Sequence, residues 1–426
     1  MSEVSVDKNV PQIRFKGFSG VWGKRKMLDC SSKVGDGLHG TPKYTENTGI
    51  YFINGNNLVS GHLSMTSDTK QVSSEEQSKD DTSLDFNTLL LSINGTIGNL
   101  AWYQGQNVML GKSVAFIKLV NCDKYYMYAY LQTARVKNYF LNSLTGSTIK
   151  NLGLKAIRES IVLIPDKQNE QTDIGNYFKK LDSLISQHQQ KHDQLTNIKK
   201  AMLERMFPKQ GKTIPEIRFK GFSGEWETKL FGICFSNIPS NTLSRADLNY
   251  ETGLAKNIHY GDVLIKFGEV LDVRDETLPF ITSDEVTNKL KHAALRNGDI
   301  IFADAAEDSI VGKCTEILNI HDQLVFSGLH TIAVRPILLF APKYLGYYLN
   351  SSSYHDQLLS LMQGTKVLSI SKTAIQSTNV KSPKSDEEQT KIGNYFKKLD
   401  ALINQHQQQI TKLNYIKQAC LGKMFV

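Results

Sequence analysis

The sequence has few of the residues that build disulfide frameworks, membrane spans or zinc sites. Its five cysteines among 426 residues are odd in number and scattered, with no C-x-x-C pair, so they are poor disulfide partners and poor zinc ligands. No apolar run approaches the roughly 18 residues of a membrane span, and the N-terminus lacks the apolar core of a signal peptide. We therefore expect a protein of the reducing cytoplasm, with no membrane contact.

Catalytic signatures are also missing. Gly105 and Gly111 resemble a phosphate-binding loop, but five residues separate them where four are needed. The sequence has no H-E-x-x-H, no G-x-S-x-G, and no Asn-Pro-Pro-aromatic signature of adenine-amino methyltransferases. We predict that this chain has no catalytic residue, binds no metal and holds no cofactor, which argues against a self-sufficient methyltransferase.

What the sequence does have is a repeat. Residues 11–22 (PQIRFKGFSGVW) return at 215–226 (PEIRFKGFSGEW), an offset of 204. The block QTDIGNYFKKLDSLISQHQQ at 171 returns as QTKIGNYFKKLDALINQHQQ at 389, an offset of 218. The segments between these blocks barely resemble each other. A duplicated frame with two unlike inserts indicates one mechanical task performed twice with different specificities.

The repeat predicts six parts. We predict a latch of strand and turn at 1–22, a recognition domain at 23–168, a long helix at 169–207, a linker with the second latch at 208–226, a second recognition domain at 227–386 and a second long helix at 387–426.

Both predicted helices have apolar residues at seven-residue spacing, which is typical of a helix that buries one stripe against another helix. The positions that we assign to the helix pair and to a partner interface are Ile174, Leu181, His188, Leu195, Ile392, Leu399, His406 and Leu413. The middle of each stripe is polar. His188 and His406 are either a buried layer that fixes the register of an antiparallel pair or part of a solvated bulge.

Each insert contains short β-branched and aromatic runs. Strands are predicted at 49–53, 88–93 and 113–120 in the first insert, and at 262–267, 298–304 and 328–336 in the second. Helices are predicted at 126–131 and 344–349. The fold class is therefore α/β (α+β), with two pseudo-symmetric mixed domains separated by two long antiparallel coiled-coil helices.

Charge gives a weaker indication of the partner. The net charge is +8, but residues 227–386 carry 15 Lys and Arg against 18 Asp and Glu, a net charge of −3. Because this insert does not attract phosphate as a whole, any DNA contact there depends on local placement of basic residues. A protein–protein adaptor with two modules on a coiled-coil frame remains the competing interpretation.

The paired latches and the helices containing IGNYFKKLDSLI and IGNYFKKLDALI resemble the specificity subunit of type I restriction–modification systems, over nearly the whole length. The resemblance implies two target-recognition domains that each read half of a bipartite site in double-stranded DNA, with the helices as spacer. It also implies partners: two methyltransferase subunits that use S-adenosylmethionine, and two ATP- and Mg-dependent motor–nuclease (restriction) subunits.

Base and phosphate contacts are expected from polar and basic loop residues. The candidates are Lys33, His39, Thr41, Lys43, Ser147 and Lys150 in the first insert, and Lys266, Arg274, Lys313, Thr365 and Lys366 in the second.

Overall fold

A computed structural model describes residues 9–148, 150–274 and 277–426. The chain divides into two compact units. The first unit is Met1–Gln189 with Gln408–Val426, and the second is Gln190–Gln407. Each unit therefore combines one insert, which we call a recognition segment (residues 23–168 or 227–386), with parts of both long helices.

The first unit contains twelve strands and four short α-helices within its described residues. The strands are β1 (Gly23–Lys26), β2 (Ser31–Asp36), β3 (Tyr51–Ile53), β4 (Leu58–Val59), β5 (His62–Leu63), β6 (Thr88–Ser92), β7 (Leu100–Trp102), β8 (Val108–Leu110), β9 (Val114–Leu119), β10 (Leu144–Thr145), β11 (Asn151–Leu152) and β12 (Ile161–Ile164). The helices are α1 (Lys79–Thr82), α2 (Lys124–Leu131), α3 (Ala134–Asn142) and α4 (Leu154–Glu159), followed by the long α5 (Gln168–Arg205), which continues into the second unit.

The second unit has a similar plan, with thirteen strands and six short α-helices among its described residues. Its strands are β13 (Glu227–Leu230), β14 (Phe235–Ile238), β15 (Leu248–Asn249), β16 (Ala255–Ile258), β17 (Val270–Asp272), β18 (Phe280–Ile281), β19 (Ile300–Ala303), β20 (Ala305–Ala306), β21 (Cys314–Leu318), β22 (Leu324–Ser327), β23 (Thr331–Pro336), β24 (Leu368–Ser369) and β25 (Asn379–Ser382). Its helices are α6 (Phe231–Cys234), α7 (Tyr260–Ile265), α8 (Asp284–Leu290), α9 (Tyr344–Asn350), α10 (Ser352–Leu359) and α11 (Lys372–Gln376), followed by the long α12 (Asp386–Lys423).

The central sheets correspond. The first unit has the antiparallel order β2-β9-β6-β7, and the second has β14-β23-β19-β21 with β17 added parallel at the edge. The middle strands are buried on both faces because alternate side chains enter different apolar clusters. In β6, Leu89 and Leu91 enter one cluster and Leu90 the other, and in β19 Phe302 and Ile301 divide in the same way.

Each recognition segment begins and ends in a two-stranded ribbon. Strand β1 pairs antiparallel with β12, so that Gly23 lies opposite Ile164. Strand β13 pairs with β25, so that Glu227 lies opposite Ser382. The two ends of each segment are thus side by side.

The two long helices pack antiparallel within each unit. In the first unit the Tyr177 hydroxyl lies 3.4 Å from Cys420 Sγ, and Lys417 Nζ lies 2.7 Å from Asp182 Oδ1. In the second unit Lys199 Nζ lies 2.7 Å from Asp400 Oδ1. Residue numbers rise along one helix as they fall along the other, which confirms the predicted antiparallel pair.

Each latch fastens a helix beginning to a helix end. In the first unit Arg14 forms two hydrogen bonds with the buried Glu170 carboxylate, at 2.6 and 2.8 Å, and the Ile13 N–H donates to the Lys423 carbonyl. In the second unit Arg218 binds Glu388 at 2.6 and 2.7 Å, and the Ile217 N–H donates to the Arg205 carbonyl. The latch tryptophans, Trp22 and Trp226, are buried.

Two predictions of secondary structure are wrong. The segment 262–267 is not a strand: residues 262–265 belong to α7, in which Val263 is buried and Ile265 is 89% exposed, and Lys266 and Phe267 follow the helix. The His259 side chain caps this helix by accepting from the Gly261 N–H. The latch at 11–22 forms turns without a strand, and its glycines Gly17 and Gly20 adopt φ of +96° and +88°.

Candidate nucleic-acid interface

A short hairpin displays two of the predicted contact residues in the first unit. Strands β10 and β11 pair, and exposed Ser147 and Lys150 lie in the turn between them. The Leu152 N–H donates to the Ile93 carbonyl at 2.9 Å, which attaches the hairpin to the segment that follows the central strand β6. The turn therefore projects from a fixed base.

The second unit has the same arrangement. Exposed Thr365 and Lys366 lie in the turn that precedes β24, and β24 pairs with β20 just after the central strand β19. The Ile370 N–H donates to the Asp304 carbonyl at 2.9 Å. Gly364 permits the turn, because its φ is +114° and a Cβ there would lie 2.0 Å from the Val367 carbonyl oxygen. The structure thus places both predicted pairs at equivalent turns.

The other first-unit candidates lie along β2 and the loop after it. The Lys33 ammonium is 2.5 Å from Asp80 Oδ1, and His39 Nε2 is 2.7 Å from Asp36 Oδ2. Thr41 and Lys43 are exposed beside the buried Pro42. These side chains are accessible, and their role in DNA contact stays a prediction.

The other second-unit candidates differ in accessibility. Lys266 donates to the Thr277 carbonyl at 2.5 Å, and Arg274 is held by Asp272 at 2.9 Å; both basic side chains are exposed. Lys313 is half-buried and donates to the Leu264 carbonyl at 2.9 Å, and burial lowers the pKa of its ammonium. Lys313 is the least available of the three for a phosphate.

The helix positions are mostly internal. Ile174, Leu181, Leu195, Ile392 and Leu399 are buried, whereas His188, His406 and Leu413 are half-buried. The buried members pack inside their own units. A partner would therefore have to contact other faces of these helices, and their role in a partner interface stays a prediction.

The sequence did not predict the residues whose backbone pairs with the hairpins. Asn94 pairs with Asn151 in the first unit, and Ala305, next to Asp304, pairs with Ser369 in the second. No motif marks them, because the relationship rests on backbone hydrogen bonds between unlike residues. Among the described residues no group of His, Cys, Asp and Glu is arranged to hold a metal ion, and no helix has the length and apolarity to cross a membrane.

The sequence profile of the type I restriction modification DNA specificity domain matches this chain twice, over residues 38–197 and 255–415. The chain therefore belongs to this family, whose domain recognises DNA targets. A solved structure described as the type I restriction–modification system S subunit from M. genitalium is similar to it, with 16% identity and a TM-score of 0.58 over 98% of this chain and 99% of that one. That similarity shows a shared fold.

Two further solved structures were found. One, described as the structural basis of complex assembly and conformational transition of the type I R-M system, is 14% identical with a TM-score of 0.49, over 94% of this chain and 97% of that one. The other, the HsdS subunit from Thermoanaerobacter tengcongensis, is 15% identical with a TM-score of 0.40, over 95% and 96% of the two chains. No curated protein matches the sequence significantly.

Proposed function

We propose that this chain is the specificity subunit of a type I restriction–modification complex, and that each unit reads one half of a bipartite DNA target. The duplicated frame carries the proposal. The same latch ion pair and the same anchored hairpin occur in both units, while the residues displayed on the hairpins differ. Two units with the same framework and different contact residues are suited to binding two different DNA sequences in the same way.

The two long helices are proposed to set the distance between the half-sites. Each has 38 residues, which corresponds to a length of about 57 Å. Both helices contribute to the cores of both units. A continuous helix of fixed length would hold two readers at a fixed spacing, as in other DNA-binding proteins whose half-sites lie about 34 Å or a multiple apart.

The chain is proposed to direct partners that perform the chemistry. Two methyltransferase subunits would modify adenine with S-adenosylmethionine, and two restriction subunits would use ATP and Mg²⁺ to move along and cleave DNA. This division assigns no cofactor to the specificity chain itself.

The spacer proposal is tested by lengthening both helices together. Seven residues inserted after Gln189 and after Gln407, where the two units meet along the chain, should add about 10 Å of helix, or about three base pairs at 3.4 Å each. Sequencing the methylated adenines in cells that contain the chain and its methyltransferase partner should show unchanged half-sites and a longer gap. The control is seven residues inserted after Ser67, in an exposed turn, which should leave the gap unchanged.

Changed half-site bases with an unchanged gap would contradict the spacer proposal. The adaptor interpretation is tested separately, by filter binding of a random duplex pool with and without the methyltransferase. Failure to enrich any sequence in either condition would favour the adaptor.

A further inference from the structure

The two units have structurally equivalent positions just after their central strands. In the first unit the Ile93 N–H donates to the Ser113 carbonyl at 2.9 Å, and the Ile93 carbonyl accepts from Leu152. In the second unit the Asp304 N–H donates to the His330 carbonyl at 3.1 Å, and the Asp304 carbonyl accepts from Ile370. Asp304 and His330 are therefore the counterparts of Ile93 and Ser113.

The side chains at these equivalent positions have different environments. Ile93 is 1% exposed and belongs to the apolar core. Asp304 is half-buried, and its Oδ1 lies 3.3 Å from Nδ1 of the exposed His330. Because an isoleucine satisfies this backbone position in the first unit, the fold does not require a carboxylate there.

The backbone at His330 is also unusual. Its φ is +53°, in the left-handed region that side chains other than glycine rarely adopt. Such conformations are concentrated at functional sites, where surrounding structure holds them. Here the next residue, Thr331, is held by a buried network, since its hydroxyl contacts Ser327 Oγ at 2.6 Å and donates to the Gly328 carbonyl.

The surroundings of Asp304 suit a nucleic acid. The Tyr260 ring meets the His330 ring edge-on, with centroids 5.3 Å apart. Burial raises the pKa of Asp304, and His330 and the charge of Lys372 oppose that rise. The hairpin with Lys366 joins the backbone at Asp304 itself.

The Asp304 carboxylate repels phosphate, so it favours DNA binding only where it meets a hydrogen-bond donor. In the major groove such donors are the exocyclic amino groups of cytosine N4 and adenine N6. A thymine or guanine at the same place would present an acceptor to the carboxylate, which leaves a partly desolvated group unpaired.

We propose that Asp304, oriented by His330, reads one base of the second unit's half-site by accepting a hydrogen bond from an exocyclic amino group. His330 acts as a positioning residue. This assignment rests on the proposed function and adds to it the chemistry by which one position is read.

The test uses the chain with its methyltransferase partner, and methylome sequencing gives the base preference at every position. Asp304→Asn keeps the size of the side chain and adds a donor, so discrimination for cytosine or adenine at one position should fall about tenfold or more. The other half-site should be unchanged. Asp322→Asn makes the same chemical change at an exposed loop position of the same unit and should leave the whole motif intact.

His330→Asn is the second variant, because asparagine tolerates positive φ. It should weaken the same position and no other, which distinguishes positioning from a general loss of folding. An unchanged motif in both variants, with normal methylation levels, would overturn the assignment of Asp304 while leaving the proposed function standing. If the unsubstituted chain produced no motif at all, the proposed function would fail and this inference with it.

Discussion

The first unit has Ile93 and Ser113 where the second has Asp304 and His330, yet the backbone hydrogen bonds at these positions are the same. The latch ion pairs also agree closely in geometry, with two hydrogen bonds of 2.6–2.8 Å in each. The side chains at these positions thus differ between the units, while the backbone hydrogen bonds and the latch ion pairs are kept. The two units therefore agree in how they are assembled and differ in the side chains that they carry at equivalent positions.

The largest test of the shared frame concerns two aromatic rings. Phe425 packs against Trp22, Tyr126 and Phe178 in the first unit, and Phe207 packs against the second unit's equivalents, with Phe396 stacked on it at 5.8 Å. Phe425→Ala and Phe207→Ala should each lower the free energy of unfolding by about 3–5 kcal/mol. Denaturant unfolding, with hydrogen exchange to localise the loss, measures this.

The control for the aromatic substitutions is Tyr415→Ala, since that side chain is 77% exposed on α12. We expect a change within about 0.5 kcal/mol. A large loss from only one of the two phenylalanine variants would show that the two cores are not packed equivalently.

The second test concerns a lysine that differs between the units. Lys199 Nζ contacts two carboxylates, Glu269 at 2.8 Å and Asp400 at 2.7 Å. Lys417 contacts one carboxylate, Asp182, and the Gln132 amide oxygen, both at 2.7 Å. Lys199→Met leaves two half-buried carboxylates uncompensated and should cost about 2–3 kcal/mol of unfolding free energy, against about 1 kcal/mol for Lys417→Met.

The measurement is urea unfolding of both lysine variants. The double variant Lys199→Met with Asp400→Asn should recover part of the loss, because it removes one unpaired charge. Equal losses from the two single variants would mean that the second carboxylate contributes nothing.

The third test uses pH and a group present only in the second unit. Burial raises the pKa of Glu316 to about 7, although its carboxylate accepts hydrogen bonds from the Gly346 and Lys343 N–H groups. The folded state then binds this proton more tightly than the unfolded state. Stability from this group is present at low pH and is lost as pH rises from about 4.5 to about 7, by up to about 1.4 kcal/mol per pH unit.

The pH test compares Glu316→Gln with the unsubstituted chain. Unfolding free energies between pH 4.5 and 8 should show a weaker decline in the variant, because its side chain does not titrate. Parallel curves would contradict a raised pKa for Glu316.

The smallest expected effect is on DNA affinity. Lys150→Ala and Lys366→Ala each remove one exposed cation from equivalent hairpin turns. Each should weaken binding of all sequences about equally and reduce the slope of log affinity against log salt by about 1. Lys289→Ala is the control, since Lys289 pairs with Glu285 on an exposed helix. An altered base preference would instead identify the lysine as a base reader.

Much of the frame was predictable from the sequence. Seven-residue spacing at Ile174, Leu181 and Leu195 predicts the long helices, because residues at this spacing form a narrow apolar stripe along one side of a helix. Such a stripe is typically buried against a second helix. The exact domain boundaries and the contact residues remain predictions. The segment 262–267 misled because three consecutive apolar residues fit a strand equally well, and only packing decides which of them is buried.

The site was less predictable for a physical reason. Ile93 and Asp304 are 211 residues apart, whereas the visible repeats are offset by 204 and 218. Their equivalence lies in backbone hydrogen bonds, which any residue type can form, so unlike side chains conceal it. Only the folded structure shows which residues occupy equivalent positions in the two units.

The two-stranded ribbons at the ends of each recognition segment make the segment a separable part of the chain. Because Gly23 lies opposite Ile164, and Glu227 opposite Ser382, each segment leaves the frame where it began. A different segment with the same paired ends could therefore replace it without a change in the long helices or the latches. On the proposed function, exchange of one whole segment would change the DNA sequence of one half-site and leave the rest of the chain as it is.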